Sequence, residues 1–259
     1  MTGMITVSHL CKTFFAPTRG EVKAVDDISF QADPGTIYGL IGPNGAGKTT
    51  TLRMIASILR PTRGTVTVDG YDVCTHPAEV RRRLGFLSTS TAVYDRMTPG
   101  EMVGYFGRLN GMDEATVQAR IDELFELLDV NSFRDTLVGN LSTGMKQKVS
   151  IARAIVHDPP VVIFDEPTSG LDIMVARNVV DLVASLKDRR RAILLSTHIM
   201  SEARRLCDRL GIIHRGQLIA EGTQEQLAEQ FGTDDLEDVF FAAVKSTQNT
   251  RTESTGPPG

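Results

Sequence analysis

The stretch TIYGLIGPNGAGKTTTLRMIASILR, residues 36–60, limits what this chain can fold into more than any other. TIYGLIG is a continuous apolar run of the kind that forms a strand buried on both faces. A helical pattern begins at Lys48 and is halted by Pro61. Between strand and helix, GPNGAGKT (Gly42–Thr49) fits G-x-x-x-x-G-K-[ST] in the context that marks a phosphate-binding loop. Gly42, Gly45 and Gly47 let the backbone curl so that successive N–H groups converge on phosphate oxygens. Pro43, Asn44, Ala46 and Thr50 complete the cradle, and the new helix points its positive end at the same anion. Lys48 is expected to reach the β- and γ-phosphates, and Thr49 to place its hydroxyl on Mg²⁺.

The rest of the chain alternates strand and helix patterns, the mark of an α/β sheet. TVTVDGYDV (65–73) alternates and carries an Asp-Gly turn, so it suits an antiparallel pair. PVVIFD (160–165) and AILLST (192–197) are apolar runs typical of buried strands, and GIIHRGQLIAEG (211–222) reads as a hairpin near the sheet edge. Residues from about 90 to 155 have a helical texture instead. ATVQARIDELFELLDV, with Val117, Ile121, Leu124 and Leu128 on one face, is its clearest amphipathic segment.

The strand ends carry further chemistry. VVIFDEP (161–167) puts Asp165 at a strand's C-terminal tip, where open α/β sheets bind ligands. Asp165 is expected to partner Mg²⁺, directly or from just outside its ligands, and Glu166 to orient or deprotonate an attacking water. LSTH (195–198) ends another strand with His198, placed to touch the γ-phosphate. LSTGMKQKV (141–149) opens a helix with Ser142, Thr143 and Gly144, a second anion-binding helix start with no lysine loop of its own. A site of that kind is satisfied most simply by the nucleotide of another copy.

Composition excludes some roles. The formal net charge is −4, with short basic clusters only, so no basic balance points to nucleic acid. Cys11, Cys74 and Cys207 are far apart and odd in number, which fits free thiols in a reducing compartment. The N-terminus has no signal-peptide pattern, and no run approaches the roughly 20 apolar residues of a membrane span. Any membrane role is therefore expected to run through a partner.

GPNGAGKTT, LSTGMKQKV, VVIFDEP, SGLD and STH, in this order, resemble the ATP-binding subunit of an ABC transporter over about residues 4–225. The resemblance implies a P-loop NTPase (RecA-like) α/β sheet core with an antiparallel β subdomain and an inserted α-helical subdomain. The ATPase domain would span residues 1–244, with the core at 1–89 and 156–225, the helical subdomain at about 90–155, and a C-terminal extension at 226–244. The polar tail, 245–259, is expected to be disordered.

LSTGM stands at the family's LSGGQ signature, which implies a head-to-tail pairing with a second ATPase subunit, expected to be a second copy of the chain, with a different subunit left open. Two ATP molecules, with Mg²⁺, would lie between one phosphate loop and the other subunit's signature turn. Ser142 and Gly144 would contact the γ-phosphate held by the partner, and Asp172 of SGLD would reach across the dimer. Phe14, in LCKTF, occupies the position of the aromatic that stacks on adenine, whereas Tyr38 reads as a strand residue.

Two departures stand out. Thr143 and Met145 replace the second glycine and the glutamine of LSGGQ, and Thr89 stands where the family has a loop glutamine. A hydroxyl has a shorter reach, so Thr89 is expected to contribute to coupling geometry without being indispensable. STGMKQK, AVYDRMT and STHIMSEARRLCDRLGIIHRG narrow the resemblance to sodium-extrusion (NatA-type) subunits and ABC-2-type exporters. That implies a transmembrane permease partner, docked near residues 89–101, and a place on the cytoplasmic face of the plasma membrane. A soluble ABC-type ATPase with no membrane partner is the competing reading. A P-loop kinase or GTPase does not account for LSTGM and SGLD.

Overall fold

The computed structural model describes residues 4–16, 20–88, 93–188 and 190–253. Among these, two sheets organise the molecule. The first is wholly antiparallel, with β1 (Ile5–Ala16) between β2 (Gly20–Ala32) and β4 (Arg63–Val68), and β5 (Tyr71–Asp72) at the edge. Asp69 and Gly70 turn the chain between β4 and β5 with positive φ, as a tight hairpin requires.

The second sheet carries the apolar runs. It comprises β3 (Ile37–Ile41), β6 (Leu84–Leu87), β7 (Val161–Asp165), β8 (Ala192–Thr197), β9 (Arg209–His214) and β10 (Gln217–Gly222), in the order β10-β9-β3-β8-β7-β6. All neighbours are parallel except the β9–β10 hairpin. β3, β7 and β8 are buried throughout, which is why their sequences are continuous rather than alternating. The register aligns Ile41 with Thr197 and Asp165 with Ser196. The C-terminal tips of β3, β7 and β8 therefore lie side by side, and the three motifs that follow them emerge at one edge.

Helix α1 (Lys48–Ile55) follows the phosphate loop, and α2 (Pro77–Arg82) precedes β6. Between β6 and β7 the described residues hold no strand. They form α3 (Pro99–Leu109), α4 (Glu114–Leu127) and α5 (Thr143–Ile155), with short 3-10 turns before α5. Thr98 starts α3 with a reciprocal capping box to Glu101, and Asp113 caps α4. Val117, Ile121, Leu124 and Leu128 are buried, as the period of the sequence requires. α6 (Ile173–Ser185) follows β7, and α7 (Met200–Leu206) follows β8.

One apolar core joins the antiparallel sheet to α1 and one face of the parallel sheet, through residues such as Leu10, Val25, Leu40, Leu52 and Ile163. The other joins the opposite face to the helical lobe, through Phe125, Val149, Val162 and Leu195. The parallel sheet thus serves as the wall between two cores, and its edge of strand tips is held from both sides.

Helices α8 (Gln224–Phe231) and α9 (Leu236–Glu253) close the chain. The expectation of a disordered tail from residue 245 does not hold for 245–253, which continue α9. The Ser246 and Thr247 hydroxyls donate to the Ala243 carbonyl within this helix. Among the described residues, no helix is long and apolar enough to cross a membrane.

Candidate active site

The phosphate loop is shaped by close approach. A Cβ at Gly42 would overlap the Ile213 carbonyl on β9, and one at Gly47 would sit 2.5 Å from the Ala24 carbonyl on β2. Only glycine fits at either place. The Gly216 N–H, in the β9–β10 turn, donates to the Ala46 carbonyl at 2.8 Å, and the Asp26 N–H donates to the Gly216 carbonyl at 2.7 Å. Strand β2 and the β9–β10 turn thus brace the loop from outside. The loop lines a cavity of about 240 Å³ with Pro43 through Thr50, Ala24 and Glu166.

Lys48 is 4% exposed. Its Nζ donates to the Gly42 carbonyl at 2.7 Å and to the Pro43 carbonyl at 3.2 Å, and lies 3.2 Å from Glu166 Oε1. The Thr49 hydroxyl donates to Asp165 Oδ1 at 3.1 Å, as does the Ser196 hydroxyl at 2.6 Å. Asp165 is fully buried, and its other oxygen, Oδ2, has no hydrogen-bond partner. A buried carboxylate oxygen left unpaired is costly, and a hydroxyl beside it completes a hard oxygen donor set. Thr49 and Asp165 therefore fit a Mg²⁺ ion, which favours such ligands.

Glu166 has φ near +50°, a left-handed conformation uncommon for a residue with a side chain. Its N–H is held by the Ser196 carbonyl at 3.0 Å and the Ser196 hydroxyl at 3.2 Å. This turn carries the carboxylate back over the loop, where Oε1 also lies 3.3 Å from His198 Nδ1. The His198 side chain is 40% exposed, at the mouth of the site. One carboxylate oxygen is thereby shared between a buried ammonium and an accessible imidazole, an arrangement suited to holding a proton-accepting group next to phosphate.

The remaining sequence-derived candidates lie elsewhere. Phe14 stands on β1, 41% exposed, with Lys12 Nζ 5.1 Å from its ring centroid, and it does not line the cavity. Tyr38 is buried and stacks on Phe30 at 4.7 Å. Ser142 caps α5, accepting from the Met145 N–H at 3.3 Å. A Cβ at Gly144 would sit 2.7 Å from Val175 Cγ1, so this glycine lets α5 pack on α6. Both residues line a separate groove of about 620 Å³, floored by Val175 and Leu182. Asp172 caps α6, accepting at 3.0 Å from the Met174 and Val175 N–H groups. Lys146 faces Asp95 at 3.7 Å and Lys148 pairs with Asp129 at 3.2 Å, so both are structural charges. Thr89 lies outside the described residues.

Two contacts escape sequence reasoning. Ala24 walls the cavity, and the only hint of it is the paired need for glycine at 47 and 216. Gln147 Nε2 donates to the Pro167 carbonyl at 2.5 Å, tying α5 to the loop beyond Glu166. No local pattern marks either contact.

Comparison with known proteins identifies the family. A family model described as ABC transporter matches residues 25–169. The chain is 44% identical over 242 residues to the ABC transporter ATP-binding protein NatA of Bacillus subtilis (strain 168), spanning 93% of this chain and 98% of the relative. It is 39% identical over 235 residues to the daunorubicin/doxorubicin resistance ATP-binding protein DrrA of Streptomyces peucetius, spanning 91% of this chain and 70% of that one. A solved structure of an ATP-binding subunit of an ABC transporter superposes with a TM-score of 0.83 at 30% identity, covering 93% of this chain and 99% of its own. On these matches the chain belongs to the ABC transporter family as an ATP-binding ATPase subunit.

Proposed function

We propose that two copies of this chain close head to tail around two ATP molecules, and that closing and reopening drive export through a separate transmembrane permease on the cytoplasmic face of the plasma membrane. The observation that carries this reading is Glu166 Oε1, poised 3.2 Å from Lys48 Nζ and 3.3 Å from His198 Nδ1 over the phosphate loop. The separation of the two glycine-containing helix starts supports the pairing of copies. The cavity at Lys48 shares no lining residue with the groove at Ser142 and Gly144, so the signature turn has no phosphate loop to face within its own chain.

In the mechanism, the N–H groups of the loop and the end of α1 hold the β- and γ-phosphates. Lys48 exchanges its loop carbonyls for phosphate oxygens and neutralises charge that develops in the transition state. Thr49 and Asp165 would hold Mg²⁺, which supplies charge neutralisation across the phosphates when bound. Glu166 orients the attacking water and takes its proton, while His198 steadies that carboxylate and reaches the γ-phosphate. Phe14, exposed on β1 and outside the cavity lining, is assigned to stack on the adenine ring. The partner copy contributes Ser142, Gly144 and Asp172 on closure, and opening follows when the phosphate contacts are lost.

Sodium is the cargo favoured by the resemblance of STGMKQK, AVYDRMT and STHIMSEARRLCDRLGIIHRG to sodium-extrusion subunits. A relative named for daunorubicin/doxorubicin resistance supports leaving the choice of cargo to the permease. The docking surface for that permease is placed at residues 93–101, where exposed Tyr94 stacks against Phe106. The test is Glu166→Gln, expected to retain ATP, lose turnover by about 10²-fold or more, and accumulate as a dimer in size-exclusion chromatography. Turnover at the original rate would remove Glu166 from its role. Capture of a membrane protein by the tagged chain, followed by sodium flux in vesicles, tests the partner and the cargo.

A further inference from the structure

Glu202, in the first turn of α7, is a carboxylate that the mechanism above leaves unused. It is only 8% exposed. Each of its oxygens receives one hydroxyl: Thr168 donates to Oε1 at 2.6 Å, and Thr197 donates to Oε2 at 2.9 Å. Both threonines are themselves buried. The Thr197 oxygen also accepts from the Ile199 N–H at 3.0 Å, so its single proton is committed to Glu202.

The two threonines belong to different strand tips. Thr168 lies two residues beyond Glu166, in a turn closed by Ser169 N–H to the Glu166 carbonyl at 3.1 Å and Leu171 N–H to the Thr168 carbonyl at 3.1 Å. That turn runs directly into Asp172. Thr197 is the last residue of β8 and immediately precedes His198. An ionised carboxylate can only accept, so both hydroxyls must point inward, and the side chain fixes the spacing of the loops they sit on. The loops so joined carry Glu166 and His198, whose side chains meet at 3.3 Å.

We propose that Glu202 is a positioning residue for hydrolysis: it clasps the Glu166–Asp172 turn to the tip of β8 through Thr168 and Thr197, and so sets the geometry of Glu166 against His198. The proposal rests on the roles given to those two residues above. It adds that the inter-copy aspartate and the hydrolytic carboxylate move as one unit, because a single turn bound by Glu202 holds both. Misplacing a reacting group by about 1 Å can cost about 10²-fold in rate, so the clasp acts on turnover rather than on nucleotide binding.

The experiment measures steady-state ATPase rates, fluorescent-ATP affinity and melting temperature of the full chain. Glu202→Ala is expected to lower kcat by about 10- to 100-fold with nucleotide affinity within about threefold. Glu202→Gln, whose amide keeps the shape and one acceptor, should recover kcat to within about fivefold of the original. Thr168→Val and Thr197→Val, which preserve shape, should each lower kcat less, and adding either to Glu202→Ala should cost nothing further, since they report the same interaction. The clasp is overturned by unchanged kcat in Glu202→Ala, by additive losses, or by kcat and affinity falling together with folded protein and no recovery in Glu202→Gln. Glu166→Gln run in parallel separates the two readings. If it stays active, the site's mechanism fails; if it is dead beside a fully active Glu202→Ala, the clasp alone fails.

Discussion

Helices α1 and α5 both begin at a glycine-containing turn, yet they are built differently. α1 starts from Gly47 in a left-handed conformation, with no side chain capping its N–H groups, and its first residue, Lys48, is buried among loop carbonyls. α5 starts from Ser142, whose own hydroxyl takes up one of the free donors, and its glycine is pressed against Val175 of α6. The first turn is an uncapped cradle that a single chain completes. The second is already satisfied locally, so under the proposed pairing of copies an incoming phosphate would have to displace a serine bond and compete with helix packing. A strong site and a conditional one is the division expected of a machine that holds nucleotide when open and responds to it by closing.

The largest effect available is at the strong site. Lys48→Ala removes the ammonium to which the proposed mechanism gives phosphate charge neutralisation, and ATPase turnover should fall by about 10³-fold. A residual rate near that of the original would break the contrast between the two turns. Gly144→Ala tests the conditional site. The added methyl meets Val175, and overpacking of this kind costs about 1–3 kcal/mol, read as a lower melting temperature. Val175→Ala in the same chain should restore the melting temperature. Recovery of stability without recovery of turnover would show that the glycine also admits phosphate to the backbone; recovery of both would leave it a packing residue. Ser142→Ala is milder: loss of the cap should cost about 1 kcal/mol, with monomer affinity for ATP unchanged.

The smallest effect is remote from both. His157 follows α5, and burial holds its imidazole below the usual histidine range. Both of its ring nitrogens are buried, and the Leu84 backbone opposes the effect of burial only in part. A depressed folded-state pKa means the unfolded chain binds the proton first. Stability should therefore be complete above about pH 6.5 and decline as pH falls below it. His157→Leu should flatten that decline in melting temperature between about pH 7 and pH 5.

Most of the strong site is legible in the sequence, because a parallel sheet places every strand's C-terminal tip on one edge. GPNGAGKT, Asp165, Glu166 and His198 each end or follow an apolar run, and topology then does the gathering. The conditional site is less legible. Glycine at 144 reads as room for a phosphate, but the atom filling that room belongs to Val175, brought in by an interhelical approach with no sequence spacing. Glu202, Gln147 and Ala24 escape for the same reason: their partners lie on other elements, and an acidic or amide residue on a short helix looks like surface. The polar composition of 245–253 reports the lack of a core and not the backbone, which continues α9 to Glu253.

The brace on the phosphate loop also sets an order of events during synthesis. The loop is complete once residue 49 has been made, but β3 beneath it pairs with β8 and β9, strands that end at Thr197 and His214. The Gly216 N–H that holds the Ala46 carbonyl comes later still. On the ribosome, at roughly 5–20 residues per second, the nucleotide cradle waits on the order of ten seconds or more for its far wall. A nascent chain cut short before Gly216 carries the whole glycine motif and lacks the backbone donor against which the loop is moulded.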